Sequence, residues 1–297
     1  MISSAARCSL RWLADGRLHL VSGGVSLEVD PRVGARIVSL RCGEAEALSL
    51  RDAHPDNYGS TFWDAPQSAW GWPPRTVLDA APYAAAVEQG AAVFRSAVDP
   101  VCGLRFCKYF APLSASPGFA IRYRIENRGD RALRVAPWEV TRVPGGLSFY
   151  HDADAEGLPA SALDLVQGGD GFAWYPFDRE QLAVGRKYFG APREGWLAHV
   201  TPERLLFVKQ FGLVAPALCA EGHAPIEIWG QDGGVYVELE NHGASVLLAP
   251  GEWLDYTVNW LLCPLPPAME VRVGNPALPR LVAAMLQAQS RDAALSR

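Results

Sequence analysis

Residues 234–262, GVYVELENHGASVLLAPGEWLDYTVNWLL, contain the strand pattern that decides the fold. The first part alternates, because side chains on a β-strand point to opposite faces at successive residues. One face carries Val235, Val237 and Leu239, and the other carries Tyr236, Glu238 and Glu240. Two carboxylates and a tyrosine are costly to bury without polar partners. The second face is therefore expected either to meet solvent or to line a polar cleft.

Two turn signals and a second strand follow this first strand. The sequence Asn241-His242-Gly243 indicates a bend, and Ala249-Pro250-Gly251-Glu252 indicates a turn. Residues 254–262 then alternate again. Their apolar face is formed by Leu254, Tyr256, Val258, Trp260 and Leu262.

This order of elements resembles the C-terminal part of the aldose 1-epimerases, in the galactose mutarotase-like superfamily. The resemblance extends over about residues 18–265, in strand rhythm more than in identities, and is closest to poorly characterised branches of the superfamily. It implies a large antiparallel β-sandwich that acts on a sugar. It also implies that Glu238, which stands at the matching place on the first strand, is the catalytic base. Tyr236 and Glu240 share the strand face of Glu238 and are expected to orient it.

Composition bounds the class of protein. The chain has 297 residues, 49% of them hydrophobic and 20% charged, so a large core is expected. A net charge of −5 provides no basic patch, which argues against nucleic-acid binding. No apolar run is long enough to span a membrane, and the N-terminus lacks the apolar run of a signal peptide. The six cysteines form no CxxC pair, so we expect reduced thiols in a cytoplasmic protein.

The rest of the chain predicts more antiparallel strands. The runs RLHLVS, VSLEVD and ARIVSLR alternate and are separated by Gly- and Pro-containing turns. Helical spacing begins only after Asn275-Pro276, and the run PLPPAMEVRVGNP before it is expected to close the sheet. We therefore predict a mainly β, large antiparallel β-sandwich, a supersandwich of the mutarotase-like type, with a C-terminal helix. It forms one domain over residues 1–297, with the core at about 17–265 and the helix at about 276–292.

Residues 51–76, RDAHPDNYGSTFWDAPQSAWGWPPRT, show almost no periodicity and predict a long aromatic-rich loop. Sugar sites combine aromatic faces for C–H groups with polar side chains for hydroxyls. The segment supplies both kinds in Trp63, Gln67, Trp70, Trp72 and Arg75. Trp72-Pro73-Pro74-Arg75 also resembles the substrate loop of the hexose-phosphate epimerase branch. The alternative is that these aromatic side chains plug one end of the sandwich.

The strand ALRVAPWEVTRV, residues 132–143, lies where the resemblance places the catalytic acid, but it lacks the family's histidine. Glu139 is a candidate acid, because a carboxyl buried in a cleft can have a raised pKa. The alternative is a salt bridge with Arg142, Arg134 or Lys209. Pro137 in the same strand indicates an edge, a bulge or a distortion.

His199 and Lys209 lie on a predicted hairpin, WLAHV–LLFVKQF. An unperturbed histidine has a pKa of about 6.5, so His199 is a second candidate acid, although a lone strand histidine is more often structural. Lys209 or Lys187 is a candidate for binding sugar hydroxyls or an anion.

Three functions follow from this reading. The first is a mutarotase or sugar epimerase that uses no metal and no other cofactor. The second is a domain that binds a small-molecule saccharide without turnover, which the missing histidine favours. A glycan lyase or hydrolase is a weaker third option, because fold alone does not choose among these functions. Binding to a membrane is not expected, and a homo-oligomer is compatible with the sequence.

Overall fold

The computed structural model describes residues 8–114, 116–168, 170–182 and 184–295. The strands of the first half of the chain are β1 (Ser9–Trp12), β2 (Leu18–Ser22), β3 (Val25–Asp30), β4 (Arg36–Cys42), β5 (Ala45–Glu46), β6 (Ser60–Ala65), β7 (Ala84–Glu88), β8 (Ala91–Arg95), β9 (Leu104–Pro112) and β10 (Gly118–Asn127). Those of the second half are β11 (Leu133–Val143), β12 (Leu147–His151), β13 (Val166–Gln167), β14 (Phe172–Pro176), β15 (Arg186–Gly190), β16 (Trp196–Val200), β17 (Leu205–Phe211), β18 (Ile226–Gly230), β19 (Val237–His242), β20 (Val246–Leu248) and β21 (Trp253–Pro264). The α-helices are α1 (Thr76–Asp79) and α2 (Ala277–Leu295).

The strands form two antiparallel sheets. The first has 11 strands in the order β1-β2-β3-β4-β6-β11-β19-β18-β15, with β20 also on β11 and β5 on β4. The second has 10 strands in the order β13-β14-β12-β16-β17-β21-β10-β9-β8-β7. A single cluster of buried apolar side chains spans both sheets. The prediction of a mainly antiparallel β-sandwich with a C-terminal helix is confirmed.

The prediction of a long loop over residues 51–76 is wrong in part, because β6 runs through the middle of it. All six residues of β6 are buried, and the strand pairs with β4 and β11 in the interior of the first sheet. Its inner face carries Phe62, which packs on Tyr123 of the second sheet, and its outer face carries Trp63. A strand covered on both faces does not alternate between apolar and polar residues, so it leaves no period-two signal.

Of the three alternatives for Pro137, an edge, a bulge or a distortion, the edge is excluded, since β11 lies between β6 and β19. Pairing of β11 with β20 ends at Val135, and pairing with β19 begins at Trp138. Pro137 occupies the gap between these two partners, where a strand can lack an N–H donor. The distortion that the proline predicted is this change of partner.

Helix α2 confirms the predicted C-terminal helix and covers the outer face of the second sheet. Leu278 and Val282 are fully buried, and the sulfur of Met285 lies 3.6 Å from that of Cys263 in β21. Residues 265–276 form turns and no strand, so the expectation that they close the sheet is wrong. The prolines in this run lack the N–H groups that a ladder needs. Among the described residues, no helix is long and apolar enough to cross a membrane.

Candidate functional site

The candidate site lies on the outer face of the first sheet, the side turned away from the second sheet. The alternation of β19 turns Leu239 into the sandwich and places Glu238 and Glu240 on the outer side. Alternation of β11 likewise places Trp138 and Arg142 outside. A second, smaller cluster of buried apolar residues covers this face: Trp63, Ala65, Ala136, Trp138, Val140 and Ala220, with Trp70 packed against it. The outer face is thus a tryptophan-rich floor, not a solvated surface.

A cavity of about 360 Å³ opens on this floor. Its lining is formed by His54, Asn57, Trp63, Gln67, Trp72, Trp138, Lys187, Trp229, Gln231, Asp232, Tyr236 and Glu238. A second cavity of about 260 Å³ shares Asn57, Trp63 and Trp72 with the first. The lining combines indole rings with hydroxyl, amide and carboxyl groups, which is the mixture expected of a small-molecule site.

Strand register fixes the carboxylate of Glu238. Glu238 stands directly opposite Arg142 in the pairing of β11 with β19, and Arg142 Nε donates a hydrogen bond of 2.8 Å to Glu238 Oε1. Arg142 Nη1 donates to Thr61 Oγ1 at 2.8 Å, and its guanidinium lies over the ring of Trp63 at 5.2 Å. One oxygen of Glu238 is therefore held in place, while the side chain keeps contact with the cavity.

Two buried glutamates and a lysine form a polar network beside Glu238. Glu227 of β18 stands opposite Glu240 of β19, and like charges directly across a ladder destabilise a sheet. Lys187 of β15 bridges them, with Nζ 2.5 Å from Glu227 Oε2 and 3.0 Å from Glu240. Trp138 Nε1 also donates to Glu240 Oε2 at 2.7 Å. Both carboxyl groups are fully buried, whereas Lys187 lines the cavity.

These contacts set different proton affinities. Burial raises the pKa of Glu240 to about 8, and the favourable charge of Lys187 does not overcome it. Burial also acts to raise the pKa of Glu227, but His242, Lys187 and hydrogen bonds from histidines outweigh it and hold the pKa well below the usual range. The neighbouring carboxylates outweigh desolvation at Lys187 and raise its pKa. At neutral pH this arrangement retains one proton on Glu240.

His223, Glu227 and His242 offer three metal-ligand atoms within 4.8 Å of one another. His223 Nε2 accepts a hydrogen bond from the Gln67 backbone N–H at 3.2 Å, so the ring hydrogen is on Nδ1. Nδ1 lies 2.9 Å from Glu227 Oε1 and donates to it. A metal ion at this position would have to displace that hydrogen, because a ligating imidazole nitrogen carries none. The hydrogen bonding thus favours a polar network over a metal site in this part of the chain.

Six of the residues predicted from sequence meet at the cavity. They are Glu238, Tyr236, Lys187, Trp63, Gln67 and Trp72. Burial raises the pKa of Tyr236 to about 12, so its hydroxyl remains a neutral donor and acceptor. Trp72 is 59% exposed at the rim, while Trp63 is almost fully buried and donates from Nε1 to Asp79 at 2.7 Å.

Three further predicted residues lie behind the cavity wall. Trp70 packs edge-on against Trp63 and donates from Nε1 to the Asp64 carbonyl at 2.8 Å. Arg75 forms an ion pair of 2.8 Å with the Asp64 carboxylate. Glu240 touches the site only through Lys187 and Trp138. These three side chains support the lining and do not form it.

The prediction that Glu139 points toward the cleft is wrong, and the alternative of a salt bridge describes it. Glu139 faces the second sheet, where its Oε1 accepts from the Tyr123 hydroxyl at 2.6 Å and its Oε2 lies 3.0 Å from Lys209 Nζ. Both charged groups are fully buried in the sandwich. Neither Glu139 nor Lys209 lines the cavity.

His199 is also remote from the cavity. It is fully buried in β16, and its Nδ1 lies 2.9 Å from Ser148 Oγ. Burial lowers its pKa to about 3, so the ring is neutral at physiological pH. This is the structural role that a lone strand histidine more often has.

Sequence reasoning missed several lining residues: His54, Asn57, Trp138, Trp229, Gln231 and Asp232. Lys187 was recognised as a polar candidate without a place in the fold. Trp138 shares the outer face of β11 with Arg142, and Trp229 lies two strands away on β18. Alternation predicts that both tryptophans face the cavity, but only once the pairing of these strands is known. His54 and Asn57 lie in an irregular segment that carries no periodic signal.

No family model matches the chain, and no curated protein sequence matches it. Solved structures do. A TPR-domain containing protein from Parabacteroides distasonis gives a TM-score of 0.59 at 14% identity, over 86% of this chain and 49% of that one, so this chain spans about half of that protein. Galactose mutarotase-like proteins from Lactobacillus casei and Clostridium acetobutylicum give TM-scores of 0.55 and 0.53 at 9% and 8% identity. They are covered over 100% of their length, and this chain over 86% and 89%. The chain therefore has the galactose mutarotase-like fold, as the strand order predicted.

Proposed function

We propose that this protein binds an aldose and interconverts its anomers, with Glu238 as the base. In this reaction the base removes the proton of the anomeric hydroxyl, the bond from C1 to the ring oxygen breaks, and the ring oxygen takes up a proton. Rotation of the aldehyde and the reverse steps give the other anomer. The acid and the base must each be within hydrogen-bonding reach of their atom in one pocket.

The observation that carries the proposal is the carboxylate of Glu238 on the wall of a tryptophan-lined cavity. Arg142 fixes one carboxylate oxygen, which favours a single orientation of the base. Strand-borne groups are also positioned more rigidly than loop-borne groups.

The remaining lining suits a sugar ring. The indoles of Trp63, Trp72 and Trp138 offer apolar faces to C–H groups, and Gln67 and Asn57 offer amides to hydroxyls. A volume of about 360 Å³ falls in the range of small-molecule pockets. These features support a saccharide of one or two rings over a macromolecular ligand.

The test is NMR magnetisation exchange between anomers, across a panel of neutral aldoses, sugar phosphates and uronic acids. Wild type is compared with Glu238→Gln and with Glu203→Gln, a control at an exposed turn. Wild type and the control are expected to accelerate exchange for at least one sugar, and Glu238→Gln to lose the acceleration while it still folds. Full activity in Glu238→Gln would rule this residue out as the base.

Saccharide binding without turnover is the second candidate. Two observations favour it: both sequence-predicted acids lie outside the cavity, and one oxygen of Glu238 is already occupied by the hydrogen bond from Arg142 Nε. The same NMR experiment separates the two functions. Binding alone would broaden or shift sugar resonances in wild type without transferring magnetisation between anomers.

A further inference from the structure

The polar network beneath the cavity contains a cation with a defined approach to a ligand. Two of the hydrogens on Lys187 Nζ are directed to Glu227 and Glu240, at 2.5 and 3.0 Å. Among the described residues no further acceptor is recorded for Nζ, so a third hydrogen is available to a molecule in the cavity. The ammonium also lies over the ring of Trp138 at 5.3 Å, and Trp138 is part of the same lining.

The charges of the network require a stored proton. Glu227 and Glu240 face each other across the ladder and both contact Lys187. Glu227 also contacts His223 and His242, whereas among the described residues Lys187 is the one basic side chain paired with Glu240. Full ionisation would leave one uncompensated buried negative charge, which is costly. This cost is avoided if one of the two carboxyl groups keeps its proton and stays neutral. Glu240 is the member of the pair whose pKa is raised, to about 8.

The contacts of Glu240 also indicate where this proton is carried. Oε2 accepts the indole hydrogen of Trp138, which leaves Oε1 as the site for the proton. Oε2 also accepts the hydrogen bond from Lys187 Nζ, whereas Oε1 lies 3.0 Å from Nζ and, among the described residues, has no hydrogen-bond partner. A proton on Oε1 is therefore carried 3.0 Å from the Nζ of a lysine that contacts the cavity.

We infer that Lys187 is the catalytic residue that protonates the ring oxygen of the sugar, and that Glu240 returns a proton to Lys187. This inference rests on the proposed anomer exchange. In ring opening, Glu238 takes the anomeric proton, electrons of the C1–oxygen bond move to the ring oxygen, and Lys187 supplies the proton to that oxygen. Glu240 then transfers its proton to the neutral amine. Ring closure reverses each transfer, so no net proton is consumed.

The pair of variants at Lys187 separates proton transfer from charge. Arginine keeps the positive charge for Glu227 and Glu240 but cannot release a proton at working pH. Lys187→Arg is expected to bind sugar within about threefold of wild type and to lose exchange by 100-fold or more, the range of general acid catalysis. Lys187→Met, which removes both functions, is expected to lose exchange to at least the same degree. Exchange within threefold of wild type in Lys187→Arg would overturn the inference.

The pH profile tests the role of Glu240. If Glu240 must be protonated, the rate of anomer exchange by wild type falls as pH rises through about 8. The Glu240→Gln variant is then expected to have a low rate that does not fall in this pH range. The other charged or titratable groups that face this network are Glu227, Glu238, His223, His242, Arg142 and Lys209. If the rate of Glu240→Gln falls through pH 8 as it does in wild type, Glu240 is not the group that returns the proton to Lys187.

The outcomes distinguish this inference from the proposed function. Exchange that needs Glu238 but survives in Lys187→Arg leaves the mutarotase proposal intact and removes Lys187 as the acid. Wild type that accelerates no sugar in the panel overturns both. Loss of exchange in the Glu238 and Lys187 variants, with sugar binding and melting temperature preserved, supports both.

Discussion

At the scale of single residues, burial decides which of the predicted charged groups are structural. Glu139 and Lys209 form a fully buried pair between the sheets, 3.0 Å apart. Burial lowers the pKa of Lys209, and the carboxylate opposes this shift. The alternation of β11 puts Glu139 on the same face as Val135, Thr141 and Val143, and all four residues are buried. It could not show that this face meets the second sheet, because that depends on contacts distant in sequence.

This buried pair leads to a stability prediction. Lys209→Met should lower the free energy of unfolding by about 3–5 kcal/mol, because it leaves a buried carboxylate without its cation. The double variant Lys209→Met/Glu139→Gln should recover much of this loss, since the neutral amide can still bond to Tyr123 and Trp260. Urea denaturation of both variants measures the difference. If Glu139→Gln is as stable as wild type but has lost anomer exchange, Glu139 takes part in catalysis.

His199 predicts a pH dependence of stability. Burial lowers its folded-state pKa to about 3, while an unfolded histidine has a pKa of about 6.5. Below pH 6.5 the unfolded chain therefore binds a proton that the folded chain does not, so stability falls as pH decreases, by up to about 1.4 kcal/mol per pH unit. His199→Gln lacks this term. The stability advantage of wild type over the variant should shrink by about 2 kcal/mol between pH 7 and pH 5, measured by denaturation at each pH. A constant difference would show that His199 titrates alike in both states.

At the scale of elements, the site depends on which strands are neighbours. The position of Glu238 on the outer face of β19 could be predicted from local alternation and from the order of strand and turn signals. Its partner Arg142 lies 96 residues away and meets it only through the register of β11 with β19. Lys187 reaches Glu240 through the pairing of β15 with β18, across 53 residues. A single sequence lists the residues of such a network but does not show which of them are neighbours in the sheet.

The segment between β6 and α1 provides a test of the cavity rim. Trp72 is 59% exposed beside the cavity, so Trp72→Ala should raise the Kd for sugar about fivefold, as expected for loss of about 1 kcal/mol of aromatic contact. The free energy of unfolding should change little, because the ring buries little area. Trp253→Ala is the matched control, with 55% exposure at the start of β21 and no place in the cavity lining. Equal affinities in the two variants would place sugar recognition elsewhere.

At the scale of the whole molecule, helix α2 and the cavity lie on opposite outer faces of the sandwich, yet one apolar core connects them. Leu278 is fully buried in that core, so Leu278→Ala should cost about 2–5 kcal/mol. If the sheets unfold as one unit, this variant lowers the denaturation midpoint equally when followed by far-ultraviolet circular dichroism and by the release of sugar from the cavity. Leu281→Ala, at a partly buried position on the same helix, should have a smaller effect. If the midpoint of sugar release stays at the wild-type value while the circular dichroism midpoint falls, the chain contains two folding units. That result would contradict the single domain that we propose.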